Sequence, residues 1–340
     1  MLANCHPSRP VIREKTMSST GKFNRETLAG LAFASPWLVG FTLLFAWPFA
    51  ISLYWSFCHF DLLNPPQPAG LSNYLRLWSE LRTGQGFGLA LFNTAYTVLI
   101  SVPLSILLGV VLATWLLYDI PGRGLLRSII YLPAMLPVVA ASVLWLWLLN
   151  PSDGWVNGIL SWFGLPPQNW LTQPRSALSP ETARLAIQGS PEVAKLFGSK
   201  DGLILMTLWG VGNYVVIYLA ALGDVPKSLY EAASLDGANA WRRWCHVTLP
   251  MLSPVILFQL VVGIIRGVQT FTSVYLLSEG TGQPAGSLLT VSLQLFLAAF
   301  EDLQVGYASA IAWCLFVILA GATWLLFRTS SAWVHYRTNA

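Results

Sequence analysis

The sequence predicts an all-α polytopic membrane protein with six transmembrane helices. Three observations carry that prediction. The 340-residue chain is 55% hydrophobic and only 10% charged, whereas soluble domains are about a quarter charged. Its apolar residues fall in six long runs, each near the roughly 20 residues that a helix needs to cross a bilayer. The sparse basic residues sit mostly between the runs, unevenly shared between alternate connections. Their dispersal also excludes a nucleic-acid footprint, despite a net charge of +4.

The polar tail 1–27 is not a cleavable signal, because the apolar run after it is too long for a signal core. Met17 offers an alternative start. The six spans are read at 28–57, 92–117, 129–149, 203–222, 252–272 and 305–327, within a domain of 28–327, with a second tail at 328–340. Pro36, Pro48 and Pro103 are tolerable where neighbouring helices re-satisfy the freed carbonyls. Pro137, following Pro133, makes the third helix kink or start late. Arg9, Arg13, Lys15, Lys22, Arg25, Arg123, Arg127, Lys227, Arg242, Arg243, Arg328 and Arg337 flank one side of the spans. They outnumber Arg76, Arg82, Arg175, Arg184, Lys195 and Lys200 on the other. That asymmetry puts both termini in the cytoplasm.

The outer connection of about 150–201 is long. Trp155, Ile159, Trp162 and Phe163 share one face of a helix suited to lie on the membrane. Ser179-Pro180-Glu181 and Ser190-Pro191-Glu192 each read as a serine cap, a first-turn proline and an acid. They predict two short soluble helices ending near Gly189 and Gly198. This insertion, and 165–201 within it, reads as decoration, with a docking surface for an external partner as the alternative.

The inner connection of about 224–249 is polar and ordered-looking. Pro226 suits a first helical turn, and 227–235 contains good helix formers. Asp236-Gly237 ends that helix with a left-handed residue. A second short helix follows over 238–247, and Leu249-Pro250 turns the chain into the fifth span. The result is a helix–glycine–helix elbow. Ala232, Ala233 and Ala238 let a partner approach its backbone, and Glu231 and Asp236 add charge at its rim. Trp241 and Trp244 share a face and suit the membrane interface. The elbow is a docking site or an ordinary amphipathic loop. It holds no nucleophile with a base and no metal cluster. Cys5, Cys58, Cys245 and Cys314 lack metal or disulfide spacing, and His6, His59, His246 and His335 are scattered.

Glu231-Ala232-Ala233, Asp236-Gly237-Ala238, Leu249-Pro250 and Pro254 together resemble the EAA loop of permease subunits of binding-protein-dependent ABC importers. Asn93-Thr94, Gly109 and Gly306-Tyr307-Ala308-Ser309-Ala310 are similar to other parts of that family's core. Leu229-Tyr230 and the run Thr248 to Pro254 look most like its carbohydrate-uptake branch, specifically the maltose-transporter-like first permease subunit. The resemblance implies a type I ABC importer permease fold and an elbow that fits a cleft in a cytoplasmic ATPase. It implies three partners: a second permease completing a heterodimer, an ABC ATPase dimer, and an extracytoplasmic solute-binding protein. ATP and Mg would belong to the ATPase subunits, with no cofactor on this chain. The setting is a bacterial or archaeal cytoplasmic membrane, and the cargo is a sugar, an oligosaccharide or a polyol derivative such as glycerol phosphate. The sequence departs from that branch at Phe271-Thr272, at 279–284, at Trp244 and in the long outer insertion, which bears on cargo. It has no phosphate loop; Gly21-Lys22 lacks the flanking glycine and hydroxyl.

Arg266 is the only basic residue read as well inside a span, about 21 Å from Leu252 at about 1.5 Å per residue. A charge there costs roughly 2.5–3.5 kcal/mol on insertion scales, so it needs an ion-pair partner or a watery pathway. Gln269, Thr270 and Thr272 follow it, and Asn213 and Tyr214 interrupt the fourth span. They serve as helix–helix glue or as the lining that a hydroxylated solute needs. Two rivals remain at this stage. An ion-coupled secondary transporter would need mid-membrane acids, and an integral membrane enzyme would need clustered carboxylates or histidines. A non-sugar cargo is a third alternative within the permease class.

Overall fold

The computed structural model describes residues 25–174, 176–177 and 197–335. The chain divides into two units, Met1–Ile51 and Ser52–Ala340. The two predicted helices beginning at Ser179 and Ser190 lie outside the described residues.

In the first unit, Trp37, Phe41, Phe45 and Phe49 stack at four-residue spacing, with centroids 5.4, 5.4 and 6.5 Å apart. That spacing puts successive rings on one face of a helix. The helix is α1 (Ala29–Ser56), of which 29–51 belong to this unit, and its apolar window is entirely unburied, which suits a surface solvated by lipid.

In the second unit a two-stranded ribbon follows, β1 (Cys58–His59) and β2 (Gln67–Pro68), with Cys58 opposite Pro68. Next come α2 (Ser72–Thr83) and α3 (Phe87–Trp115), the latter five residues longer at its start than expected. The third span is not one rod. It comprises α4 (Arg123–Met135) and α5 (Val138–Leu148), bent by 100°. The cause is Pro137, which holds Leu136 extended (ψ 138). After α6 (Trp155–Trp162), the fourth span is also two pieces, α7 (Ser199–Trp209) and α8 (Gly212–Gly223), bent by 40°. Among the described residues four helices are thus long and apolar enough to cross a membrane, or six spans if each bent pair counts once.

The elbow also differs from its reading. Its first arm is α9 (Lys227–Leu235), with the expected bounds. The second short helix and the turn at Leu249-Pro250 do not exist as separate features. One helix, α10 (Ala240–Val268), runs through both. A wide turn over Trp244–Thr248 makes this possible, with the Leu249 amide donating to the Trp244 carbonyl five residues back. Widening there accommodates Pro250, whose ring would clash in a regular α turn. The helix stops at Val268, four residues earlier than expected. Then come α11 (Thr272–Leu277), α12 (Val291–Glu301) and α13 (Val305–Ser330). The described residues beyond it, 331–335, are tied back to the helices. Val334 is buried, and the His335 amide donates to Ser253 Oγ at 2.8 Å.

Helix α3 is the hub. Val110, Ala113 and Leu116 pack with Val215 and Tyr218 of α8 and Leu252 of α10. Small residues allow these crossings. A Cβ on Gly109 would lie 2.8 Å from Tyr214 Cβ, and one on Gly263 would lie 2.8 Å from Val102. At its other end Phe87 and Ala90 pack with Leu77 of α2 and Ile311 of α13. A third cluster joins Trp145 and Leu149 to Leu203, Met206, Val274 and Leu277.

Candidate functional site

The elbow is built by two adjoining helix caps. Gly237 has φ 76°, the left-handed value that glycine adopts without Cβ strain. From there its amide donates to the Ser234 carbonyl at 3.1 Å, and the Ala238 amide donates to Ala233 at 2.9 Å. These two bonds close the end of α9 in the Schellman pattern, with half-buried Ala233 and Ala238 apposed. Two residues on, Asn239 Oδ1 accepts from the Arg242 amide at 2.8 Å and starts α10. The motif Ala-x-x-Asp-Gly-Ala is therefore a stop, a left-handed hinge and a restart.

Two braces hold the elbow. Tyr230 Oη and Thr248 Oγ1 are 3.1 Å apart, joining α9 to α10. Trp244 stacks on Trp241 at 5.1 Å, and its indole N–H donates to Thr114 Oγ1 of α3 at 3.3 Å. Between the braces α9 has no buried residue. Glu231, Ala232 and Asp236 are exposed, and Leu235 is 90% exposed. Leu249 and Pro250 lie inside α10, not on the exposed arm. The site is thus a rigidly mounted but uncovered apolar-and-acidic helix.

The second constellation lies where spans break. Asn213 and Tyr214 are in the first turn of α8, and Asn213 is exposed. The Tyr214 hydroxyl stands over Gly263 of α10. Arg266 is not well inside its span. It is exposed in the last turn of α10, because the helix ends at Val268. A cation there is favoured by the helix dipole, and it has no ion pair among the described residues. Gln269 and Thr270 form the unwound link, and Thr272 opens α11.

Two residues at this break were not anticipated. Thr290 Oγ1 donates to the Thr270 carbonyl at 3.4 Å, and Ser292 Oγ donates to the Val268 carbonyl at 3.0 Å. They supply the hydrogen bonds that unwinding removes. A threonine before an apolar helix was the available signal, since Thr290 also caps α12. The network of Arg76, Glu80, Gln304 and Tyr307 was missed too. Arg76 bonds Glu80 at 2.9 Å and Gln304 at 2.6 Å, and lies 3.9 Å over the Tyr307 ring. Glu80 accepts from the Tyr307 hydroxyl and from the Phe87 amide. The four-residue spacing of Arg76 and Glu80 was a legible helix pair, but no sequence spacing links them to Gln304 or Tyr307.

The resemblance residues make the same long-range ties. Asn93 Nδ2 donates to the carbonyls of Gly286 and Leu289 at 2.7 and 2.9 Å. Thr94 Oγ1 accepts from the Val291 amide at 3.0 Å. Gly306 packs directly on the Cys58 backbone.

Comparison with known proteins bears on this geometry. The family model described as binding-protein-dependent transport system inner membrane component matches residues 105–334. A probable ABC transporter permease protein of Bacillus subtilis, YesP, is 36% identical, covering 95% of this chain and 97% of its own. The lactose transport system permease protein LacF of Rhizobium radiobacter is 33% identical over 76% of this chain and 80% of its own. Among solved structures, a chain of a bacterial alginate ABC transporter, in complex with an alginate pentasaccharide-bound periplasmic protein, shares the fold. It has a TM-score of 0.68 at 23% identity, covering 90% of this chain and 94% of that one.

Proposed function

Since the chain belongs to the family of binding-protein-dependent transport system inner membrane components, we propose that it forms half of the pathway of an ATP-driven saccharide importer. It is the permease, not an enzyme, and it spans the membrane several times. A second permease completes the pore, two ATPase subunits bind ATP and Mg below, and a solute-binding protein delivers cargo from outside. Both termini face the cytoplasm. The names of the lactose and alginate relatives support a sugar or oligosaccharide cargo.

One observation carries the coupling role: α9 stands uncovered on two braces, with Leu235 90% exposed beside Glu231 and Asp236. The leucine alone would be ordinary, but a helix with no buried residue, braced at both ends and carrying two exposed acids beside it, suits a partner surface. Closure of the ATPases on ATP would pull this arm, and Trp244 and Tyr230 would pass the displacement to α3 and α10. The polar residues at the breaks, Asn213, Tyr214, Arg266, Gln269, Thr270 and Thr272, are the proposed pathway lining. Their amide, hydroxyl and guanidinium groups suit a hydroxyl-rich solute.

Gly237→Asp tests the coupling role. A Cβ at Gly237 meets nothing within 4 Å in this chain, so its internal cost is the left-handed backbone alone, about 1–2 kcal/mol. The variant is expected to reach the membrane at normal level yet lose ATPase co-purification and ATP-driven uptake. Normal uptake at normal expression would refute the coupling role.

A further inference from the structure

A cavity of about 260 Å³ lies between the end of α3 and the elbow. Thr114 and Tyr118 line it from α3 and beyond, Tyr230 from α9, and Arg243, Trp244 and Thr248 from α10. Arg243 is half-buried, and its guanidinium makes no hydrogen bond or ion pair among the described residues. Its neighbours at this end are already engaged. Arg123 bonds Asp119 at 3.1 Å, and Arg127 reaches the Leu116 carbonyl at 3.4 Å. Arg243 is therefore the cation of this cavity with donors to spare, in a fork that fits two oxygens of one phosphate.

We propose that this cavity binds the phosphate headgroup of an anionic phospholipid. The site rests on the inward orientation of the elbow proposed above. Three features favour a lipid over a protein carboxylate. Tyr118 lines the site, 61% exposed, Trp241 stacks on the lining Trp244 and is 68% exposed, and such amphipathic rings settle at headgroup level. A basic pocket between the cytoplasmic ends of spanning helices is a common form of anionic-lipid site. Tyr230 and Thr248, bonded to each other, also line the cavity, whereas the acids Glu231 and Asp236 do not. At about 260 Å³ the space sits just below the usual range for small-molecule sites, enough for a glycerophosphate but not for a folded segment. Its occupant would tie the elbow to α3 through Arg243, Tyr118 and Tyr230, so headgroup charge would set how stiffly the elbow is mounted.

Native mass spectrometry of the full-length chain, stripped in neutral detergent and then given phosphatidylglycerol, phosphatidylcholine or glycerol phosphate, tests this. Wild type and Arg242→Gln should each keep one phosphatidylglycerol. Arg243→Gln should bind it about tenfold more weakly, with Arg243→Lys between, while melting by circular dichroism stays at the wild-type temperature. Equal retention by Arg243→Gln, or equal retention of phosphatidylcholine, would overturn the site. Arg243-dependent binding of glycerol phosphate without retained lipid would reassign it to a soluble anion. ATPase co-purification from the same membranes separates the two readings. A wild-type chain that keeps lipid but brings no ATPase refutes the coupling role alone. An Arg243→Gln chain that keeps lipid but loses the ATPase places Arg243 on the coupling surface and overturns the lipid site.

Discussion

Gly306 and Gly237 are the same residue type placed for opposite physical reasons. A Cβ on Gly306 would lie 2.1 Å from the Cys58 carbonyl oxygen, a backbone atom that cannot swing aside. The Gly306 amide also donates to the Phe60 carbonyl at 3.1 Å, so the helix α13 cannot back away without losing that bond. Gly306→Ala should therefore destabilise the whole fold by about 1–3 kcal/mol or more. Gly237→Ala meets open space and strains only the elbow. The expected pattern in detergent is a large drop in melting temperature for Gly306→Ala and a smaller one for Gly237→Ala, whose only cost is its left-handed backbone (φ 76°). Similar melting of both variants would mean that the α13–ribbon contact yields, contrary to the packing described. The same contrast says which glycine is available for function: Gly306 serves the fold, and Gly237 can serve a partner.

At the scale of elements, what was legible is what local chemistry decides. The bounds of α9 and its left-handed stop follow from Pro226, Asp236 and Gly237, whose preferences act within a few residues. The bend before α5 follows from Pro137 in the same way. The course of α10 was not legible, because Leu249-Pro250 reads as a turn unless a wide turn precedes it, and that turn is held by Trp244 reaching Thr114 130 residues away. Reading the span four residues too far, to 272, put Arg266 well inside it, whereas it lies in the last turn of a helix that ends at Val268. The outer insertion shows a further case. Asp201 in the first turn of α7 accepts from the Gly198 amide at 3.0 Å, the Ala177 amide at 2.9 Å and Ser176 Oγ at 3.0 Å. One carboxylate thus ties Ser176 and Ala177, inside the outer insertion, to its end at α7. Asp201→Ala removes an N-terminal cap, at about 0.5–2 kcal/mol, and frees both amides. Hydrogen exchange at Ala177 and Gly198 should rise together, with α9 unaffected. A rise at Gly198 alone would show that Asp201 caps α7 without clamping the insertion.

For the whole molecule the question is how many times the chain crosses. Helix α5 has 11 residues, about 16 Å at about 1.5 Å per residue, half of a hydrocarbon core of about 30 Å. It cannot cross alone, and the 100° bend means that α4 and α5 together cross obliquely or turn back. The contacts argue for crossing. The Trp244–Thr114, Arg127–Leu116 and His335–Ser253 bonds gather one set of connections. Asn93–Gly286, Ser199–Ser287 and Ser176–Asp201 gather the alternate set. Asp119 precedes α4 and belongs with the first set, whereas α5 leads to the Asn157–Gln168 pairing and to Trp170, which packs with Leu203 in the second. A chain that turned back at Pro137 would have to bring α6 to the elbow end, where nothing in the packing receives it. Single cysteines at exposed Asp119, Ser152 and Ser234, in a chain whose native cysteines are serine, make this measurable. An impermeant thiol reagent added to intact cells should label Ser152→Cys alone, and lysis should expose the other two. Labelling of Ser152→Cys only after lysis would make α4 and α5 a re-entrant hairpin and would flip every later helix. Labelling of Asp119→Cys and Ser234→Cys from outside would keep the six crossings but reverse the orientation, placing the elbow where no ATPase could reach it.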